Sequence, residues 1–149
     1  MNLKFIRSSE KKKILAELNE RFGIEKIPYL LIYSGREKIR AFSGSLAKEE
    51  ILQIANLTNV ESIGLYVLKK EEMMRMSLDA THLFKDQIKN NIVEIDESQL
   101  HDWMRGKDLD IQKERGGVVI KYKEDFFGFG KSTGSKIFNY VPKDRRLKK

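Results

Sequence analysis

The sequence predicts an α+β protein: a small N-terminal α/β sandwich, then a small β-barrel with short helices. Three observations carry that prediction. Apolar residues recur at helical spacing from Ile14 to Phe22. The first 66 residues read in the order β-α-β-β-α-β. Beyond Gly106, short apolar runs alternate with turn signals, the pattern of a closed or nearly closed small sheet.

Leu3 to Ile6 is a short strand, and Ser8 or Ser9 is the expected cap of a helix ending at Phe22. Ile14, Leu15, Leu18 and Phe22 share one face of it, and Gly23 stops it. After Pro28, Tyr29–Ser34 and Lys38–Ser43 form a hairpin through Gly35-Arg36. Ser45 caps a second helix that buries Leu46, Ile51, Leu52 and Ile54, and Val60–Leu68 is the next strand. Met73–Ser77 is a short strand leading into a helix over Leu78–Phe84. Ile92–Ile95 is a strand, and Asp96 with Gln99 is a capping-box pattern for a helix carrying Leu100, Trp103 and Met104 up to Gly106. Val118–Tyr122, Phe126–Lys131 and Ile137–Val141 complete the β part. The change of pattern near Tyr66–Lys70 divides the chain into residues 1–66 and 67–149.

Composition narrows the function. The 149 residues include no cysteine and two histidines, which excludes a disulfide, a thiol nucleophile and a cysteine-bound zinc or iron–sulfur centre. Met1–Lys13 is too charged for a signal peptide, and the apolar run at 29–33 is too short to span a bilayer, so a cytoplasmic protein is expected. The net charge of +7 is carried entirely by residues 115–149, with 10 Lys/Arg against three acids. Residues 1–114 are neutral. That asymmetry points to a polyanion, nucleic acid first, against the rival of a solvated basic tail.

Several motifs compete for chemistry. Gly128-Phe129-Gly130-Lys131-Ser132-Thr133 imitates the end of a phosphate loop, but Asp125 stands where the first glycine belongs and a turn replaces the helix. Asp108, Asp110 and Lys113 imitate a metal nuclease cluster, with surface charge the plainer reading. His82 and His101 lie on predicted helices, where structural roles are favoured. Of Phe126, Phe127, Phe129 and Phe138, each is read first as core, although an exposed ring there would stack an RNA base.

The C-terminal residues carry a resemblance. Phe127-Gly128-Phe129-Gly130-Lys131, then Ile137-Phe138-Asn139-Tyr140-Val141-Pro142-Lys143 and Arg145-Arg146, resemble the PUA-like RNA-binding domain of Sun/Fmu-type rRNA cytosine-5 methyltransferases. That domain closes on a Lys-Asn-x-x-Pro-Lys signature. Here Phe138 takes the position of the first Lys, and Lys136 stands three places before Asn139. Gly64-Leu65-Tyr66, Arg75-Met76-Ser77-Leu78-Asp79, and Trp103 with Arg105-Gly106 fit the same pattern. The first 62 residues are similar in arrangement to the α/β domain that archaeal ribosome-biogenesis proteins place before a PUA domain.

The resemblance implies a non-catalytic RNA-binding protein, archaeal and cytoplasmic, with a pre-PUA-like α/β domain and a PUA-like β-barrel. It implies no cofactor, because the cysteine nucleophiles and the nucleotide-binding domain of those methyltransferases are missing from these residues. The expected partner is rRNA or tRNA, in ribosome biogenesis, rRNA processing or RNA modification. The expected contacts are Lys131, Lys136, Asn139, Lys143, Arg145 and Arg146, with Gly128 and Gly130 admitting the RNA backbone, and Arg75 and Arg105 extending the patch. The rival is a protein-interaction module that docks an RNA methyltransferase or a pre-ribosomal protein through an open edge of the 29–43 hairpin. A third, a small RNA-modifying enzyme, rests only on Asp108 and His101.

Overall fold

The computed structural model describes residues 3–42, 50–51, 53 and 64–148. The elements run β1 (Leu3–Phe5), α1 (Ser8–Phe22), β2 (Leu30–Ser34), β3 (Lys38–Phe42), β4 (Leu65–Lys70), β5 (Met74–Met76), α2 (Leu78–Leu83), β6 (Ile92–Glu94), α3 (Glu97–Met104), β7 (Gly116–Tyr122), β8 (Asp125–Ser132) and β9 (Ile137–Asn139). A 3-10 turn follows at Lys143–Arg145. No helix among the described residues is long and apolar enough to cross a membrane.

Two sheets result. The first is an antiparallel five-stranded sheet in sequence order, β1 to β5. The second orders β6-β7-β8-β9, with β6 and β7 parallel and joined through α3, and the remaining pairs antiparallel. Among the described residues the pairings of this sheet run from β6 to β9, and Leu109 adds one bridge to Ile137.

Helix α1 buries Ile14, Leu18 and Phe22, the face that the 3.6-residue period specifies. Its stop is Gly23 at φ 83°, a left-handed residue whose amide closes on the carbonyls of Leu18 and Asn19. The expected serine cap is corrected: Arg7 holds the N-cap position without a side-chain bond, and Ser8 already lies inside the helix. By contrast Ser77 caps α2, accepting from the Ala80 amide at 3.0 Å, and Asp96 with Gln99 forms a complete capping box on α3. Glu50, Ile51 and Gln53 are helical, as the expected second helix requires. Its cap at Ser45 and the residues Leu46, Leu52 and Ile54 lie outside the described residues, as does the start of the expected strand at Val60.

The largest cluster of buried apolar side chains does not respect the division at 66/67. It runs from Ile14 and Phe22 of α1 through Leu31, Val67 and Met76 to Val119 and Phe129 of the second sheet. The expected boundary itself falls inside β4, which pairs with β3 on one side and β5 on the other. A second cluster gathers Val93, Ile95, Leu109, Val118, Ile120, Ile137 and Val141 around fully buried Trp103. Strand β7 serves both: Val118 and Ile120 face Trp103, and Val119 faces α1. A strand buried on both faces reads as an unbroken apolar run, which Val118-Val119-Ile120 is.

The hairpin of β2 and β3 offers no open edge. β2 is paired with β1 as well as β3, and β3 is paired with β4. Among the described residues of the expected docking edge, β2 and β3 are paired within the sheet, which corrects that expectation; Ser43 lies outside the described residues.

Candidate nucleic-acid interface

Strand alternation gives the β8–β9 hairpin two different faces. On one, Ile137 and Val141 are buried and Asn139 is turned inward between them. The Asn139 amide donates to the carbonyl oxygens of Trp103 at 2.7 Å and Lys107 at 3.0 Å, and its Oδ1 accepts from the Val141 amide at 2.7 Å. Asp108 accepts from the Asn139 backbone at 2.8 Å. Every polar atom of that side chain is spent on the fold, so its expected RNA contact is corrected to a structural tether.

The two glycines belong to the same inner face. A Cβ on Gly130 would stand 2.6 Å from the Phe138 carbonyl oxygen and 2.8 Å from both Ile137 Cγ2 and Trp103 Cη2. One on Gly128, which lies at φ 102°, would meet Leu78 and Val141 at 3.3 and 3.4 Å. Both residues are buried. They make room for Trp103, whose Nε1 donates to the Phe127 carbonyl at 2.7 Å, and not for an RNA backbone.

The other face carries Lys136, Phe138 and Tyr140 in alternate positions, with Lys131 directly across from Phe138. Phe138 is 42% exposed, one of three large hydrophobic side chains left so among the described residues. The reading of Phe138 as core is thereby corrected; Phe126 and Phe129 are core, and Phe127 is half-buried against Tyr122. Tyr140 stacks on Phe129 with centroids 6.2 Å apart and planes at 26°, and Phe129 in turn makes a T-shaped contact with Phe22. On the outer side of Tyr140, the Arg75 guanidinium carbon stands 3.8 Å from the ring centre. Lys131 has no ion pair among the described residues, and Lys136 has one at 3.8 Å to an Asp110 that is 89% exposed.

A cleft of about 420 Å³ opens beside Tyr140, lined by Lys131, Arg75, Met73, Glu71, Glu72 and Lys69, with Glu37 at its rim. The sequence did not anticipate Lys69 or Tyr140 here. Their signal is the period-2 alternation, which places Lys69 opposite Arg75 and aligns Tyr140 with Phe138. Behind the cleft, burial raises the Tyr66 phenol above its ordinary value, with Arg75 pulling it down and Glu71 pushing it up.

The remaining expected contacts gather elsewhere. Arg105 is exposed beyond α3, and Lys143 is exposed on the 3-10 turn. Arg145 Nη1 donates to both carboxylate oxygens of Asp79, at 3.1 and 3.2 Å. Arg146 donates to the Val141 carbonyl at 3.0 Å and lies over Gly106, where a Cβ would come within 2.6 Å of it. The Leu147 amide donates to the Met104 carbonyl at 2.7 Å. This end of the chain is thus tied down, with Lys143 and Arg105 left to face outward.

Most of the residues that imitate enzymatic sites have structural settings. Lys131 and Ser132 lie within β8, not at the start of a helix. His82 Nε2 donates to the Phe126 carbonyl at 2.9 Å, and Asp108 and Asp110 are engaged by Asn139 and Lys136. Among the described residues, no three His, Asp or Glu side chains gather as a metal site.

Comparison with known proteins adds to the description of the fold. Residues 90–147 match the family model described as the Methyltransferase RsmF PUA domain. The chain is 22% identical over 143 residues to the ribosomal RNA small subunit methyltransferase F of Aeromonas salmonicida, covering 92% of this chain and 28% of that protein. It is 35% identical over 54 residues to the enzyme of the same name from Vibrio cholerae, covering 35% of this chain and 11% of that one. The chain thus spans under a third of the length of the curated relatives it matches. In fold it is similar to a conserved PUA domain protein from Thermoplasma acidophilum, at a TM-score of 0.59, 15% identity and 93% coverage of both chains. The chain therefore carries a PUA-like domain, mostly sheet with a few helices, that resembles the C-terminal domain of the rRNA methyltransferases.

Proposed function

We propose that this chain is a non-catalytic RNA-binding protein that engages structured rRNA or tRNA in the cytoplasm during ribosome biogenesis or RNA modification. The observation that carries the reading is the outer face of β8–β9, where Lys131, Lys136, exposed Phe138 and Tyr140 stand together. Cations next to an exposed ring suit RNA: the lysines hold phosphates, and Phe138 stacks an unpaired base. Lys143 and Arg105 extend the positive field from the far end of the hairpin. The likeness to a methyltransferase PUA domain supports the same partner and the link to rRNA modification. In this reading the first sheet is a pre-PUA-like unit that buttresses the RNA face.

Salt dependence of binding tests it. If Lys131, Lys136 and Lys143 meet phosphates, changing all three to Gln flattens the slope of log affinity against log salt by about 2 to 3. An unchanged slope in a folded triple variant overturns the assignment. The rival, docking of an RNA methyltransferase or pre-ribosomal protein, predicts RNA capture only when that partner is present.

A further inference from the structure

A row of three cations crosses the first sheet beside the cleft. Lys38 of β3 is paired with Lys69 of β4, and Lys69 with Arg75 of β5, so the three side chains leave the same face on neighbouring strands. Their neighbours confirm the direction: Ile39, Leu68 and Met76, one position along, are all buried on the opposite face. With strands about 4.8 Å apart, the row spans roughly 10 Å. Like charges directly opposite one another destabilise a sheet. Glu37 and Glu71 stand 3.9 and 3.5 Å from Lys69, Glu71 also pairs with Arg75 at 3.4 Å, and Lys38, with no ion pair among the described residues, stands 5.3 Å from the centre of the Tyr66 ring.

The row is continuous with the β8–β9 face. Arg75 ends it and also stands over Tyr140, its guanidinium carbon 3.8 Å from the ring centre, and Tyr140 in turn stacks on Phe129. The cleft at Tyr140 shares Glu37 and Lys69 with a second hollow, of about 460 Å³, formed by Ser34, Arg36 and Lys38 at the β2–β3 turn. A trough therefore leads from Lys131 and Tyr140 across the cation row to that turn.

Resting on the RNA-binding reading, we infer that a single-stranded segment of the bound RNA continues from the β8–β9 face along this trough onto the first sheet. Lys38 and Lys69 take successive phosphates, and one base stacks on the Arg75 guanidinium, which the Tyr140 ring backs at 3.8 Å. An arginine plane backed by an aromatic ring is a stacking surface for any base, whereas lysine at the same place supplies charge without a plane. Glu72 lines the cleft with no hydrogen bond or ion pair among the described residues. A carboxylate there accepts from an exocyclic amino group, so adenine, cytosine or guanine is preferred over uracil in the stacked position.

The test uses the full chain, a labelled single-stranded oligoribonucleotide of about 12 nucleotides, a site size in the range of single-strand binders, and a duplex of equal length. Arg75→Lys is expected to weaken single-strand binding about tenfold with its salt slope kept, since a stack is lost and a charge is not. The Lys38→Gln/Lys69→Gln pair flattens the slope by about 1.4, the release of two counterions from a single strand. Neither variant alters duplex binding beyond the Lys12→Gln/Lys13→Gln control. If both variants match that control while the Lys131/Lys136/Lys143 triple still weakens binding, the footprint ends at β9 and this inference falls, leaving the RNA reading intact. If the wild-type protein binds neither probe, the RNA reading falls and takes the inference with it.

Discussion

The two faces of the β8–β9 hairpin are built from adjacent residues and do opposite work. The inner face is glycine, asparagine and isoleucine closed on Trp103, with every hydrogen bond made inside the protein. The outer face is lysine and aromatic side chains, with Phe138 left 42% exposed. Residues of one short motif thus divide by parity: Gly130 and Asn139 hold the strand in place, while Lys131 and Phe138 are what the strand displays. The lesson is that a signature can be a signature of packing as much as of binding.

The sharpest way to break the comparison is to crowd the inner face. Gly130→Val is expected to cost about 3 kcal/mol, because its Cβ meets a backbone oxygen that cannot step aside. Chemical denaturation reads this directly, and a native-like midpoint would show that β9 can shift. Asn139→Ala follows at about 2 kcal/mol, since it strands two carbonyl oxygens and one amide that the side chain now satisfies. On the outer face the effects should invert. Phe138→Ala is expected to leave stability within about 0.5 kcal/mol and to weaken RNA binding about tenfold, measured by fluorescence anisotropy on the same preparation used for denaturation.

The smallest effect lies away from the hairpin and serves as its neutral reference. Burial, helped by a hydrogen bond to Glu10 and that carboxylate's charge, pushes the Tyr33 phenol up to about 12. The folded state therefore favours the protonated phenol. Its contribution is complete below the unfolded value near 10 and is lost as pH rises from there toward 12. Tyr33→Phe should make the loss of stability over that window shallower while leaving RNA affinity at neutral pH unchanged. A pH titration of the denaturation midpoint checks it.

Much of the architecture was legible, for identifiable reasons. α1 and α3 announce themselves because Ile14, Leu18 and Phe22 repeat at helical spacing and Asp96 with Gln99 forms a complete cap. The order of strands in the hairpins follows from local turn residues such as Gly35, Lys123 and Gly134. What could not be read was whatever depends on distant pairings. Nothing local in Tyr66–Lys70 says that this strand accepts β5 as well as β3. The site was legible as a basic, glycine-containing segment. Its internal division was hidden, because the partner that claims Gly130 and Asn139 is Trp103, about thirty residues away in the chain.

The contact of Phe22 with Phe129 has a consequence for modularity. The segment that matches the family model, residues 90–147, contains β6 to β9 but not α1. Within this chain Phe129 is nevertheless 1% exposed, and Phe22 of α1 packs against it in a T-shaped contact. Arg21 fastens the same helix to β7 by donating to the Gly117 carbonyl at 2.9 Å. The recognisable domain and the cooperative unit are therefore different objects. Transplanting the former without the helix would bare an aromatic ring at the centre of a two-sided sheet. Any such fusion must bring a substitute cover, or the grafted strands will seek one in a neighbouring molecule.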